Sequence, residues 1–338
     1  MDSQSQADNE LISTFFASPN DPYTSKGQRL LQAHYAQVRC VMQNSQFRIL
    51  MESQACQASL GRRIRQLRAR TLAQITDDLL RSMPEPNAEA ATCLLTFIIR
   101  VWLMCWIGSL PGEPSQGQTC IRWTEDCKFS EILAAHFKAQ AQARPRETVQ
   151  LGASLKACNL ERFGRIRVIW TSNLPDHLRL YDPADDDEPY TLLVFHHAAF
   201  LETHRNSSIF PPGLVDETTQ SLALLFPKYD TATIKWFKAQ AQAMEGSLDP
   251  QALGYAPLEP SQRTTASFNY WAERLAMLNS AYEASEPRTL GQWWVDRRSP
   301  VQWATFWIAA LVLVLTVFFG LVQSIEGALQ VYKAYRPS

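Results

Sequence analysis

The chain has 338 residues, of which 46% are hydrophobic and 19% are charged. Its 32 basic and 33 acidic residues leave a formal net charge of −1 at pH 7, which excludes a chain that is basic as a whole, so we predict no nucleic-acid partner. The seven cysteines include no Cys-x-x-Cys pair. The sequence therefore predicts free thiols in a reducing compartment rather than a zinc ribbon or a thioredoxin-like motif.

The N-terminal part of the chain is predicted to be helical after a flexible leader, residues 1–26. The leader contains no basic region followed by an apolar run, so it does not resemble a secretory signal. A helical region follows over residues 27–145, where apolar residues recur at helical spacings. Within it, we interpret the arginine-rich stretch 62–70 as a solvated helix face, with contact to anionic lipid headgroups as the alternative.

An apolar run inside this region, residues 88–107, is long enough to raise the question of a membrane span. Arg100 lies in its middle, and an arginine at the centre of a span costs about 2.5–3.5 kcal/mol on insertion scales. We therefore predict a buried central helix in which Arg100 pairs with a carboxylate. A second membrane span is the alternative.

Residues 146–210 have a composition typical of a small α+β segment. β-branched and apolar residues predict strands at 166–170 and 190–195, whereas helix-start signals predict a helix over 174–180. The result is a two-stranded insertion over about 165–197 that has the outline of a winged helix. The turn between its strands is acidic, which is the wrong sign for contact with phosphate, so a protein-binding use is favoured over DNA binding.

The histidines of this segment are the candidates for chemistry, because imidazole serves both as a general base near neutral pH and as a metal ligand. The candidate catalytic residues are His177, His196 and His197. The candidate metal ligands are His177, His196, His204 and Asp182. The spacings His-x-His, His-x-x-x-His and His-Glu-x-x-His are all absent.

A structural role is favoured for these histidines. Successive side chains on a strand point to opposite faces, so we expect only one of His196 and His197 to reach any site. The sequence also lacks Gly-x-Ser-x-Gly, Gly-x-Gly-x-x-Gly and the phosphate-binding loop of nucleotide hydrolases. We therefore predict neither a bound metal nor a cofactor, and expect packed or hydrogen-bonded histidines at a strand end.

The C-terminal part divides into four predicted pieces. Residues 211–288 form a second helical region, and residues 289–300 form an amphipathic approach to a membrane. A transmembrane helix then covers residues 301–323, and residues 324–338 form a short amphipathic tail.

The transmembrane prediction rests on the apolar stretch from Trp303 to Val322. No charged residue occurs between Arg298 and Glu326. About 20 residues at about 1.5 Å per residue make a helix of about 30 Å, which is the thickness of the hydrocarbon core of a bilayer. Aromatic residues flank the stretch, as is typical of the two membrane–water interfaces: Trp293, Trp294, Trp303, Trp307, Tyr332 and Tyr335.

We expect a tail-anchored topology, because no secretory signal precedes the span and few residues follow it. The N-terminal bulk of the chain then faces the cytosol. The endoplasmic reticulum is favoured over the mitochondrial outer membrane as its location. The predicted partners are the lipid bilayer and other proteins, and no specific small molecule is predicted.

Four segments resemble one known group of proteins: NLERFGRIRVIWTSNLPDHLRL (159–180), LLVFHHAAFLE (192–202), ETTQSLALLFP (217–227), and residues 289–335, which begin TLGQWWVDRRSPVQW. The group consists of uncharacterised filamentous-fungal proteins with a helical cytosolic region and a single C-terminal transmembrane helix. The resemblance extends over roughly residues 85–335, and its last segment is the most specific. It implies the same architecture and a fungal source, and it implies no catalytic residues.

The sequence thus predicts a mainly α fold with a small two-stranded insertion and a C-terminal transmembrane helix. The favoured function is that of an interaction or scaffold protein on the cytosolic face of a membrane, and an enzyme is the less favoured class. The alternative is a membrane-associated enzyme acting on a lipophilic substrate, accessory to fungal secondary metabolism, that uses His177, His196 or His197. Metal analysis of the wild type and of His196→Ala discriminates between the two, because metal lost on substitution would support the enzyme.

Overall fold

The computed structural model describes residues 71–82, 91, 95, 99–100, 102–108, 119–124, 126–185, 188–244, 247–285 and 300–335. The predicted leader, the arginine-rich stretch and the membrane approach with Trp293 and Trp294 lie outside these residues.

The described part of the chain is mainly helical, as predicted. Its α-helices are α1 (Leu72–Ser82), α2 (Phe129–Gln142), α3 (Ala157–Phe163), α4 (Ala198–His204), α5 (Leu214–Leu225), α6 (Thr231–Ala243), α7 (Ala272–Ala284) and α8 (Pro300–Tyr335). Its strands are β1 (Ile166–Thr171), β2 (Arg179–Tyr181) and β3 (Tyr190–Phe195).

The three strands form one sheet in the order β1-β3-β2. Strand β1 is parallel to β3, with Ile166 opposite Tyr190 and Thr171 opposite Phe195. Strand β2 is antiparallel to β3 on its other side. The two predicted strands are therefore present, but they run parallel rather than as the antiparallel wing of a winged helix.

The prediction of a two-stranded insertion is wrong by one strand, because β2 lies where the sequence predicts a helix. The helix-start residues are used in a single 3-10 turn, Leu174–Asp176. Leu178 then adopts a positive φ of 59°, which turns the chain. The N–H of Leu178 donates to the carbonyl of Leu193 in β3 at 2.8 Å, so the residues after it pair with β3.

One contiguous apolar core joins the sheet to the helices of the body. Helix α5 lies at its centre, because ten of its 12 residues are buried, including the polar residues Glu217, Thr218, Thr219 and Ser221. The largest fully buried side chains of the core are Trp271, Tyr282, Phe129, Phe137, Phe195, Phe200, Phe226 and Phe268.

The apolar run at 88–107 contributes to this core through its described residues. Ala91, Leu95, Ile99 and Leu103 recur every four residues and are all at most 2% exposed. The helical stretch ends at Leu103, because Met104 has a positive φ of 48°. This burial favours the predicted core helix over a second membrane span.

Among the described residues, the partner of Arg100 is an aromatic ring, and the carboxylate partner stays a prediction. Its guanidinium lies 3.2 Å from the centroid of the Trp106 ring, which is a cation–π contact. Burial lowers the pKa of Arg100 to about 10. The described residues therefore compensate the charge of Arg100 with an aromatic face.

Candidate membrane anchor and buried polar sites

Helix α8 is the one helix in the described part of the chain that is long and apolar enough to cross a membrane. Its apolar stretch, Ala304–Tyr332, has 29 residues, and none of its most apolar window is buried against the rest of the structure. Leu313 is 65% exposed and Phe318 is 57% exposed, whereas the leucines of α5 are buried. An apolar surface of this length is far larger than monomeric soluble proteins leave in water.

Two hydroxyl groups of this stretch are satisfied inside the helix. The hydroxyl of Thr316 donates to the carbonyl of Val312 at 2.8 Å, and the hydroxyl of Ser324 donates to the carbonyl of Gly320 at 2.9 Å. Because helical backbone groups are also paired, these residues carry few unpaired polar groups into an apolar solvent.

The predicted span and the predicted tail are one continuous helix in the structure. Helix α8 begins at Pro300, a favourable first residue because proline lacks the N–H that would be unpaired there. It continues to Tyr335. Tyr332 and Tyr335 are exposed near its C-terminal end, and Trp307 lies about 37 Å before Tyr332 at about 1.5 Å per residue. That separation fits the distance between the two interfaces of a bilayer.

A second feature is a buried turn, Asn173–Leu178, which connects β1 to β2. Asn173 is fully buried and bonds to two distant points of the chain: its Oδ1 accepts from the N–H of Trp106 at 2.9 Å, and its Nδ2 donates to the carbonyl of Thr119 at 2.9 Å. The N–H of Leu174 donates to the carbonyl of Met104 at 2.8 Å. The turn therefore fixes the backbone on both sides of residues 109–118.

Asp176 is a buried carboxylate at the centre of this turn. Its Oδ1 accepts from the N–H of Thr119 at 3.0 Å and from Nη1 of Arg179 at 3.4 Å. Its Oδ2 accepts from Nδ2 of Asn173 at 2.6 Å. Nη1 of Arg274 in α7 donates to the carbonyls of Pro175 and His177, which flank Asp176 in sequence. Charge-assisted bonds of this kind offset the cost of burying a carboxylate.

His177 is fully buried and uses both ring nitrogens. Its Nδ1 accepts from the N–H of Phe195 at 3.1 Å, so the proton of the neutral ring is on Nε2, which donates to Oγ of Ser221 at 2.7 Å. The hydroxyl of Ser221 in turn donates to the carbonyl of Thr218. Burial, reinforced by the charge of Arg274, lowers the pKa of His177 to about 3. His177 thus joins β3 to α5 as a neutral hydrogen-bonding group.

His196 and His197 lie in the link between β3 and α4, and the expectation of opposite orientations is wrong. Both are buried, and their ring centroids are 3.9 Å apart with planes inclined by 34°. The alternation of a strand ends at Phe195, so it does not apply to the two residues that follow. Nδ1 of His196 accepts from the N–H of Asp249 at 3.3 Å.

Asp249 is the member of this cluster that sequence reasoning missed. It is 1% exposed, and its Oδ2 accepts from the N–H of Ala199 at 2.7 Å, in the first turn of α4. Its Oδ1 accepts from the N–H of Gln251 at 2.9 Å. A carboxylate at a helix N-terminus is favourable, yet burial raises the pKa of Asp249 to about 6. The signal available in the sequence is the pair Asp249-Pro250, a common helix start, which does not reveal that the carboxylate reaches a second helix.

The remaining candidate ligands lie apart from one another. Nε2 of His204 bonds to the carbonyl of Trp102 at 3.2 Å, and its ring packs 4.5 Å from that of Phe200. Asp182 is exposed in the turn after β2. Throughout the part of the chain that the structure describes, no three His, Cys, Asp or Glu side chains come together as a metal site requires.

Comparison of the chain with protein-family models, with curated proteins and with solved structures finds no match.

The neutral, buried state of His177 makes stability dependent on pH. The unfolded chain protonates this group below its ordinary pKa of 6.5, and the folded chain does so only near 3. Stability is therefore fully present above pH 6.5 and decreases toward pH 3, by up to about 5 kcal/mol. In detergent-solubilised protein, His177→Gln should flatten this slope in denaturant titrations at each pH. Leu222→Ala, a buried substitution on α5, to which His177 bonds, should lower stability but keep the slope. An unchanged slope in His177→Gln would contradict the assignment.

Asp249 makes the stability of the fold depend on pH in the opposite direction. Because its folded pKa of about 6 exceeds the unfolded value of 3.8, the folded state binds the proton more tightly, and stability falls as pH rises between those values. The expected loss is about 3 kcal/mol at pH 7. Asp249→Asn should remove it, whereas the exposed substitution Asp216→Asn should not. Equal pH profiles for Asp249→Asn and Asp216→Asn would refute the raised pKa.

Proposed function

We propose that the protein is a single-pass membrane protein, anchored by α8, whose N-terminal body acts as an interaction or scaffold module at the cytosolic face of the endoplasmic reticulum. The observation that carries this proposal is the stretch Ala304–Tyr332 of α8, whose most apolar window is entirely unburied. Its exposed large side chains include Ile308, Leu311, Val312, Leu313, Val314, Leu315, Val317, Phe318, Phe319 and Leu321.

The energetics favour a bilayer as the solvent of α8. Removing one Val, Leu, Ile or Phe side chain from water contributes about 1.5–3 kcal/mol. Side chains of this kind occupy all sides of α8 and not one stripe. Lipid covers all sides of a helix at once, whereas docking on a protein surface covers one face.

One observation supports a cytosolic body. The described cysteines Cys105, Cys120, Cys127 and Cys158 are all unpaired thiols, which is typical of a reducing compartment.

The hydrogen bonds of the histidines support an interaction role over the enzyme alternative. Both nitrogens of His177 serve backbone and hydroxyl partners inside the core. His196 binds the backbone of Asp249, and the Asp249 carboxylate binds the first turn of α4. These contacts hold elements of the fold together, and the enzyme with His177, His196 or His197 stays a prediction from the sequence.

Membrane insertion through α8 is tested by charged substitutions in the full chain. An arginine near the middle of a span costs about 2.5–3.5 kcal/mol, so Leu313→Arg/Phe318→Arg should cost about 5–7 kcal/mol of insertion free energy. The wild type should stay in the membrane pellet after carbonate extraction, and this variant should move to the supernatant. The matched control Tyr332→Arg/Tyr335→Arg places the same charges at the end of α8, where long side chains reach water, and should stay in the pellet. A wild type that is extracted by carbonate would refute the anchor.

The orientation is tested by glycosylation in microsomes. The body carries one natural acceptor triplet, Asn206-Ser207-Ser208, with Asn206 exposed in a turn. A cytosolic body leaves Asn206 without glycan, so the wild type and Asn206→Gln should migrate alike with and without endoglycosidase. A second acceptor added on an extension after Ser338 should be glycosylated, because the tail reaches the lumen of the endoplasmic reticulum. Glycan on Asn206 would reverse the orientation, and none on the extension would argue against this organelle.

A further inference from the structure

Two arginines from different elements meet at the buried turn Asn173–Leu178. Nη1 of Arg179, in β2, donates to Oγ1 of Thr119 at 2.8 Å and to Oδ1 of Asp176 at 3.4 Å. Nη1 of Arg274, in α7, donates to the two carbonyls on either side of Asp176. Arg179 therefore bonds to the Asp176 carboxylate itself, and Arg274 bonds to the backbone on either side of it.

Each guanidinium uses only part of its hydrogen-bonding capacity. A guanidinium carries five N–H donors, yet all the hydrogen bonds that these two arginines make among the described residues run through Nη1. With respect to the part of the chain that the structure describes, the Nε and Nη2 donors of Arg179 and Arg274 are thus available to a ligand. Arg179 is also 36% exposed, so a ligand can reach it from solvent.

Aromatic rings hold both guanidinium groups in place. The guanidinium of Arg179 lies 5.0 Å from the centroid of Tyr181, and that of Arg274 lies 5.3 Å from the centroid of Trp271. Side chains that are held before a ligand arrives lose less entropy when they bind it.

Among the described residues, the charges around the pair leave positive charge in excess. Asp176 is the buried carboxylate between the two arginines, and it already accepts from Asn173 and Thr119. Glu273, next to Arg274 on α7, is exposed, and water screens its charge. Burial, with Arg179 adding to it and Asp176 opposing it, lowers the pKa of Arg274 to about 10. Nearby His136 on α2 adds no negative charge, and the pKa of His136 is lowered by burial and by Arg274.

We propose that Arg179 and Arg274 form a binding site for a phosphate group, whose oxygens accept from the unused Nε and Nη2 donors of the two side chains. The planar fork of an arginine matches two oxygens of a phosphate, and a tetrahedral group has enough oxygens to meet two forks. The phosphate belongs either to a free phosphate or to a lipid headgroup. The site lies in the body and does not depend on the membrane anchor.

The test uses the full chain in nanodiscs of phosphatidylcholine, titrated calorimetrically with inorganic phosphate. The wild type should bind saturably. Arg179→Gln should weaken binding about tenfold or more, because it removes charge-assisted hydrogen bonds. The matched control Arg167→Gln, an exposed arginine on β1, should bind as the wild type does. Arg274→Lys keeps the charge but loses the fork, and it should also bind more weakly.

A second arm identifies the source of the phosphate. In nanodiscs that also contain phosphatidylinositol 4-phosphate, a lipid ligand occupies the site and raises the apparent Kd for inorganic phosphate several-fold, whereas a free phosphate ligand leaves that Kd unchanged. The circular dichroism spectrum of each variant establishes that it is folded. No saturable binding by the wild type in either nanodisc, or equal binding by a folded Arg179→Gln, overturns the proposal.

Discussion

The turn Asn173–Leu178 is the constraint on which the rest of the body depends. Buried backbone and amide groups must be paired, and this turn has no ladder of its own to pair them. Its partners come from the end of the apolar run, from β3, from α5 and from α7. Because the bonds reach four separate parts of the chain, the turn can form only when all four are in place.

The need to pair buried polar groups also explains the state of the side chains in the turn. His177 stays neutral because a charged ring could not accept from the N–H of Phe195, and because its full burial disfavours the charged form. Asp176 stays in the interior because amide and guanidinium donors surround it. Polar side chains that attract notice in the sequence as chemical groups are thus used in the structure to connect elements.

Helix α5 of the body and helix α8 contain the same kinds of apolar side chain in different surroundings. In α5 the leucines face protein on every side, and in α8 they face outward on every side. The two helices differ in composition, because α5 buries the polar residues Glu217, Thr218 and Ser221 beside its leucines. They also differ in length, because 12 residues at about 1.5 Å each make about 18 Å, well short of the hydrocarbon core of about 30 Å, whereas 29 residues exceed it.

The sequence by itself determined the long apolar C-terminal helix, the mainly helical class and the strands β1 and β3, since these depend on composition and on the pattern of neighbouring residues. Only the tertiary structure decided that residues 179–181 form a strand, because a hydrogen-bonding partner on β3 overrode a local helix-start signal. It also decided the stacking of His196 on His197, the role of Asp249 and the meeting of Arg179 with Arg274. These arrangements join residues that are remote along the chain, and no local pattern encodes which remote group supplies the missing hydrogen bond.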